Sequence, residues 1–464
     1  MSMTATASGP GPAPAVGRRE HYEWARPGDV DAFFGLMIDN IGGMILMTSL
    51  LVLGFGFPRD FVLTRMIPGT ALGVLVGDLI FTAMAFALAK RAGRSNVTAM
   101  PLGLDTPSTF GSAFLILGPA FLAARSRGLE PVEAAEHAWR LGIVLMLAAG
   151  LFKTACAPFC GAIRRVVPRA GLLGSLSAIA LVLISFLPLM DVASQPTAGF
   201  VSLAIVLTTL SARWRLPGRI PGALAAVVVG CLVYYGMYAA GLGPGSEGER
   251  PDALMRFSPP LLLNGWWDWL RVNWGEAAGF LPVAMPLALA TIIGGVDCTE
   301  SAAAVGDEYS TGGIVAAEGF ATLVAGAFGG VVQTTPYIGH PAYKAMGARA
   351  AYTLATALFV GGAGIFGCFD WIFFLIPKAV VFPILIFIGL EITAQSFHAV
   401  PHRHYPAVAF ACVPALAYLS LLAVNQVLPQ VDKSFGGLPP NVQHWIATAT
   451  ALSGGVIVTS LIWG

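Results

Sequence analysis

The chain has 464 residues, of which 56% are hydrophobic and only 11% charged, with a mean hydropathy of +0.74. A soluble domain carries roughly 25% charged residues, so this composition excludes an ordinary globular enzyme. A net charge of +1 provides no basic stripe to neutralise phosphates, which excludes nucleic acid as a partner.

In chain order, the first stretch to about Arg26 is rich in Ala, Gly, Pro, Ser and Thr. It lacks a continuous apolar run, so it reads as a disordered cytoplasmic tail over residues 1–28 rather than a signal peptide. Apolar runs of about 20 residues then read as membrane spans. They fall near 30–54, 66–90, 97–122, 137–157, 170–189, 197–212, 219–241, 277–300, 312–330, 332–346, 350–366, 373–395, 405–427 and 442–463. The chain is therefore expected to be an all-α integral membrane protein of fourteen spans. The 6 cysteines read as small buried hydrophobes, because no second Cys/His pair with zinc spacing follows Cys156 and Cys160. No metal or organic cofactor is expected.

Loop charge sets the orientation. With the N-terminus inside, the inner loops hold Lys90, Arg91 and Arg94, then Lys153, Arg164, Arg165 and Arg169, then Arg213, Arg215 and Arg219, and later Lys344, Arg349 and Arg403. Asp307 and Glu308 run against this trend, but acids count little in the rule. Both termini are expected in the cytoplasm of a multi-pass protein of the inner (plasma) membrane. The longest polar connection, 242–276, carries Trp266-Trp267-Asp268-Trp269, read as an interfacial aromatic segment. It divides a first seven-span repeat, 29–241, from a second, 277–464.

The halves share motifs in order. Val166-Val-Pro-Arg-Ala170 resembles Leu375-Ile-Pro-Lys-Ala379, each a proline and a base at the mouth of a helix. Two spans are interrupted by prolines, glycines and hydroxyls: span 3 at Val97–Gly111 and span 10 at Gln333–Gly347. Non-helical backbone at membrane depth survives only where protein or a water-filled cavity surrounds it. A corresponding pair of such segments points to the binding site of a secondary transporter. An odd number of spans per half reverses the second half, giving a 7+7 inverted repeat.

Intramembrane acids support that site. Asp39, Asp78, Asp105, Asp297, Glu300, Glu318 and Glu391 lie within spans, and all but Glu391 belong to spans 1–4 and 8–11. Each ionised carboxylate in lipid costs about 2.5 kcal/mol or more, so these groups face protein or a cavity. Asp297 and Glu300 share a helix face. Asp39, Asp297 and Glu300 are candidates for proton coupling, with proton or sodium ion as the coupling ion. Asp39 and Asp78 can equally bond backbone groups, and Glu318 reads as structural. Asp105, Thr106, Asp297, Glu300, Thr335, Tyr337, Gly339 and His340 form the expected substrate site. His340 can donate to a ligand, titrate, or satisfy free carbonyls of the broken helix.

Three of these segments resemble the nucleobase–ascorbate transporter family of uracil/xanthine permeases and its adenine/guanine/hypoxanthine relatives. They are Ala99-Met-Pro-Leu-Gly-Leu-Asp105, Gly294-Gly-Val-Asp-Cys-Thr-Glu300 and Gly329-Gly-Val-Val-Gln-Thr-Thr-Pro-Tyr-Ile-Gly339. The resemblance implies a core of spans 1–4 and 8–11 moving against a gate of spans 5–7 and 12–14, commonly in a homodimer. It implies transport of a nucleobase-like solute by proton symport. An enzyme is not expected, because no H-E-x-x-H or G-x-S-x-G motif appears in the sequence. The family's usual span 10 glutamate is absent, with Gly339 or His340 in its place. The alternative on the same fold is an anion carrier resembling the SulP sulfate and bicarbonate transporters.

Overall fold

The computed structural model describes residues 22–160, 177–178, 180–212, 214, 216–217, 220–243, 256–260, 262, 265–337, 339–398, 400–410, 412–427 and 439–453. The first nine helices follow the expected spans: α1 Gly28–Gly54, α2 Arg59–Ala92, α3 Thr106–Ser126, α4 Pro131–Phe159, α5 Ala180–Ser194, α6 Pro196–Ser211, α7 Gly222–Ala239, α8 Trp266–Ala304 and α9 Thr311–Ala327. A short strand β1, Leu102–Leu104, precedes α3, and β2, Thr334–Pro336, precedes α10, His340–Ala345. Then come α11 Ala351–Ile365, α12 Phe369–Leu375, α13 Lys378–His398, α14 Tyr405–Phe410, α15 Val413–Val427 and α16 Pro440–Ser453.

The protein is a multi-pass membrane protein. Among the described residues seven helices are long and apolar enough to cross a bilayer, or eight if α11 and α12, bent by 95°, form one broken span. Parts of expected spans 5 and 14 lie outside the described residues, as do Arg164, Arg165, Arg169, Arg213, Arg215, Arg219, the motif Val166–Ala170 and most of the tail.

Two packing neighbourhoods are visible. Helix α9 lies against α4, α2 and α8, while α2 also packs on α11. Separately, α13 packs on α5, α6 and α7, and α1 touches both α11 and α13. Small residues set the close approaches, as in membrane helix pairs generally. A Cβ on Gly73 would sit 2.6 Å from Ala325, and one on Gly77 3.2 Å from Ala321. Gly150 meets Leu323, and Gly319 meets Thr154 and Lys153. The last two contacts draw α4 and α9 together and place Lys153 against Glu318.

Two sequence expectations change here. The tail is not free as far as residue 28: Tyr22 donates to the Val97 carbonyl at 2.9 Å, and the Trp24 carbonyl accepts the Ala350 and Ala351 amides at 3.0 Å. Asp29, in the first turn of α1, adds the Arg349 amide at 2.9 Å and the Tyr352 amide at 3.1 Å, so the end of the tail and the start of α1 together cap α11. The polar connection also ends early. Gly265, left-handed at φ 71°, starts α8, which runs 39 residues through a kink at Asn273. The tryptophan run is the first turn of that helix, before the kink.

Candidate substrate site at the strand crossing

The two broken spans meet. Leu102–Leu104 pairs antiparallel with Thr334–Pro336, in the register Leu102↔Pro336, Gly103↔Thr335 and Leu104↔Thr334. Asp105 donates its amide to Gln333 at 2.9 Å and Tyr337 donates to Pro101 at 2.8 Å, extending the ladder at both ends. Two strands in an apolar interior leave two unpaired edges, and each exposed backbone group there must find a partner.

Side chains supply those partners. On the β1 edge, Leu102 donates to Asp78 Oδ1 at 3.1 Å and Leu104 to Asn40 Oδ1 at 3.2 Å. On the β2 edge, Lys153 Nζ donates to the Thr334 carbonyl at 3.2 Å and Cys298 Sγ to the Pro336 carbonyl at 3.3 Å. Asp78 thus bonds backbone, the structural one of its two expected roles. Lys153 is a correction. It is fully buried in α4, 2.8 Å from Glu318 Oε1, and does not count among the inner-loop bases. Glu318, itself fully buried, owes its place to this pair.

One face of the crossing is more open. Along β2 the burial alternates, with Thr335 half-buried between buried Thr334 and Pro336, as the two-residue period of a strand requires. Gly103, its partner across the ladder, has no side chain on that face, and Asp39 Oδ2 lies 3.4 Å from where a Cβ would stand. Asp105, Tyr337, Gly339, Asp297 and Glu300 are also half-buried, whereas Thr106 and His340 are buried. Asp39 and Glu391, on α1 and α13, both act electrostatically on Tyr337.

Asp105 is the N-cap of α3. Its carboxylate accepts the Ser108 amide at 2.7 Å, and its carbonyl accepts the Thr109 amide at 2.8 Å. The sequence Asp105-Thr-Pro-Ser encodes this, since a capping acid bonds the third helical amide while proline fits the first turn. The cap occupies helix amides that an anion would otherwise take.

His340 turns elsewhere. Its Nε2 lies 3.2 Å from the Thr98 carbonyl and 3.3 Å from Asp307 Oδ2. Asp307, fully buried in the α8–α9 connection, also accepts the Thr98 amide at 3.1 Å and faces Lys344 at 2.5 Å and Arg94 at 3.7 Å. Burial alone would raise the Asp307 carboxyl, but hydrogen bonds from His340, Lys344 and the Thr98 amide hold it below the usual carboxylate range. The acid that opposed the loop-charge trend is therefore neutralised by bases of neighbouring loops. A depressed carboxyl contributes stability above the ordinary aspartate range, near pH 4, and loses it as pH falls through the folded value. Asp307→Asn is thus expected to cost about 2 kcal/mol at neutral pH. Thermal melts of both proteins should converge as the buffer is made acidic.

No protein-family model matches the chain, and no curated protein matches it. Solved structures do. The fold is similar to the transmembrane domain of a cyanobacterium bicarbonate transporter, BicA, with a TM-score of 0.55 and 17% identity over 86% of this chain and 97% of that one. It is also similar to SLC26A9, with TM-score 0.52 and 12% identity over 85% of this chain and 66% of that one. For the murine Slc26a9 anion transporter in its inward-facing state, the values are 0.53 and 13%, over 95% and 69%. At these identities the likeness is one of fold.

These neighbours overturn the resemblance to the nucleobase–ascorbate transporters, and with it the nucleobase-like substrate and the uracil/xanthine permease assignment. The physical reason lies in the motifs that carried the resemblance. Ala99–Asp105 and Gly329–Gly339 build the strand crossing, and Gly294–Glu300 is the helix turn packed beside it. Such residues encode architecture, which carriers of different cargo share.

Proposed function

We propose that the chain is a secondary carrier of a small inorganic oxyanion such as bicarbonate or sulfate. The supporting observation is the fold, which covers 97% of a bicarbonate transporter's transmembrane domain; the two interrupted spans paired as β1 and β2 give it a place for a ligand. The reading includes fourteen spans in two inverted sevens, with 29–241 and 277–464 as the repeats. A core of spans 1–4 and 8–11 moves against a gate of spans 5–7 and 12–14. The protein acts as a homodimer in the inner membrane, with both termini cytoplasmic.

The anion sits on the open face of the crossing, against Gly103, Thr335 and Tyr337, with Thr106 and Gly339 beside it. Asp39, Asp105, Asp297 and Glu300 also border that face, and ionised they would repel it. Protons bound with the anion remove the repulsion, and each ligand then tightens the other by the same factor. A proton gradient thereby drives uptake, with alternating access between core and gate. His340, held by Asp307, anchors the span 10 half-helix rather than touching the ligand.

Binding can be read from stability. An anion that binds only the folded protein raises apparent stability by about 2.7 kcal/mol at one hundred times its Kd. Sulfate or bicarbonate should raise the melting temperature of detergent-purified protein, and more so in mildly acidic buffer. Equal melting with and without both anions at both pH values would remove the reading.

A further inference from the structure

The buried pair behind β2 has a feature that strand clamping does not use. Lys153 Nζ holds Glu318 Oε1, the Thr334 carbonyl and, at 3.4 Å, the Thr322 hydroxyl. Glu318 Oε2, fully buried, has no hydrogen-bond partner among the described residues. It points at Gly295 of α8, where a Cβ would come within 2.8 Å of it. A carboxylate oxygen without a donor is costly at such a place, whereas the same oxygen can take a proton.

Among the described residues, the Thr291 hydroxyl is the one group packed on Glu318 that can turn to that oxygen. From α4 comes Lys153, and just beyond that helix Cys160. Asp105, at the start of α3, acts on Glu318 only through its charge. Helix α8 contributes Asp297, Cys298 and Thr291, whose hydroxyl faces Glu318 but donates to the Ala288 carbonyl at 2.8 Å. Helix α2 packs through Gly73 and Gly77 and turns its buried acid, Asp78, to the Leu102 amide.

We propose that Lys153 and Glu318 form a proton-operated charge switch that couples the proton to the anion, resting on the anion-carrier reading above. With Glu318 ionised the pair is neutral. A proton that forms an O–H bond at Oε2 leaves the pair with the single positive charge of Lys153. That charge stands directly behind Thr334, whose neighbour Thr335 lies on the ligand face, and attracts the anion across one strand. Release of the proton on the other side restores neutrality and lowers the anion's affinity. No atom of the pair need touch the anion.

A cavity large enough for water lies near the pair. It is about 20 Å³ and is lined by Ser112, Ala149 and Gln333 among others, enough for one water molecule. Gln333 Oε1 lies 3.4 Å from the Thr291 hydroxyl, which faces Glu318. Ala149 is one helical turn before Lys153. Gln333 and Thr291 therefore stand between the cavity and the carboxylate.

The test is made with the full chain in liposomes, using labelled sulfate and bicarbonate. Glu318→Gln fixes the pair in its charged form. It should keep anion exchange at equal pH on both sides, lose most of the proton-driven accumulation, and retain only the pH dependence that the four acids of the ligand face supply. Lys153→Met/Glu318→Gln removes the charge and should bind the anion about tenfold more weakly than Glu318→Gln at every pH, a typical coupling. Gly295→Ala crowds only the carboxylate end of Glu318, its distances of 3.5 Å to Val315 and 3.8 Å to Pro336 being ordinary contacts, so it should fold normally and blunt the pH dependence. Purified wild-type protein should also take up protons when sulfate is added, which needs no variant to fold. Proton-driven accumulation by Glu318→Gln or Gly295→Ala at the wild-type level overturns the switch alone, whereas sulfate binding without proton uptake overturns the switch and the proton coupling of the carrier together. A wild-type protein that exchanges neither anion overturns the carrier reading itself.

Discussion

Lys153→Met is expected to lose about 3–5 kcal/mol of stability, because it leaves the Glu318 carboxylate uncompensated in an apolar interior. Both side chains are fully buried and 2.8 Å apart, so water cannot take over the lost contact. The Thr334 carbonyl at the β2 edge loses its donor as well. Removing both charges behaves differently, since desolvating an ion pair consumes most of what the attraction returns. Lys153→Met/Glu318→Gln should therefore recover most of the lost stability. Thermal melts in detergent decide this, and equal losses in the single and double variants would contradict it.

A second large loss is expected at a contact between backbones. Gly69 of α2 lies so close to the turn before β2 that a Cβ would fall 2.3 Å from both the Gly330 nitrogen and the Phe328 oxygen. Neither is the end of a flexible side chain, so α2 and the turn must separate. Overpacking of this kind costs about 1–3 kcal/mol, and more where nothing can yield. Gly69→Ala should reach the upper part of that range and Gly69→Leu should prevent folding. Gly236 of α7 is the control, with nothing within 4 Å of its Cβ position. Gly236→Ala should be neutral or gain about 0.5–1 kcal/mol from the better helix former. The consequence reaches the site, because Gly330 leads into β2 and fixes its height against β1.

Much of this arrangement was legible in the sequence, and what was missed has identifiable causes. Runs of apolar residues located α1 to α9 because a bilayer demands some twenty of them at a time. Proline and glycine marked both interruptions, and Asp105-Thr-Pro-Ser announced a cap. The pairing of the interruptions as strands did not show, because three residues per strand are too few to display a two-residue period. The sequence places Lys153 in an inner loop because a lysine near the inner end of a span ordinarily snorkels to the headgroups. Its partner lies 165 residues away, and one sequence does not reveal that neighbour. Asp307 was passed over for a related reason. Its bases, Arg94 and Lys344, belong to other loops, although charges of opposite sign on adjoining inner loops were a usable signal. The cargo was misassigned because the quoted motifs encode a backbone crossing, and the crossing says little about what it carries.

That cargo is what transport itself can establish. Purified protein in liposomes, given labelled sulfate or bicarbonate and a more acidic exterior, should accumulate the anion above its external concentration. Collapsing the pH gradient should abolish accumulation while leaving anion exchange in place. Liposomes with protein that take up neither anion faster than liposomes without it would contradict the account.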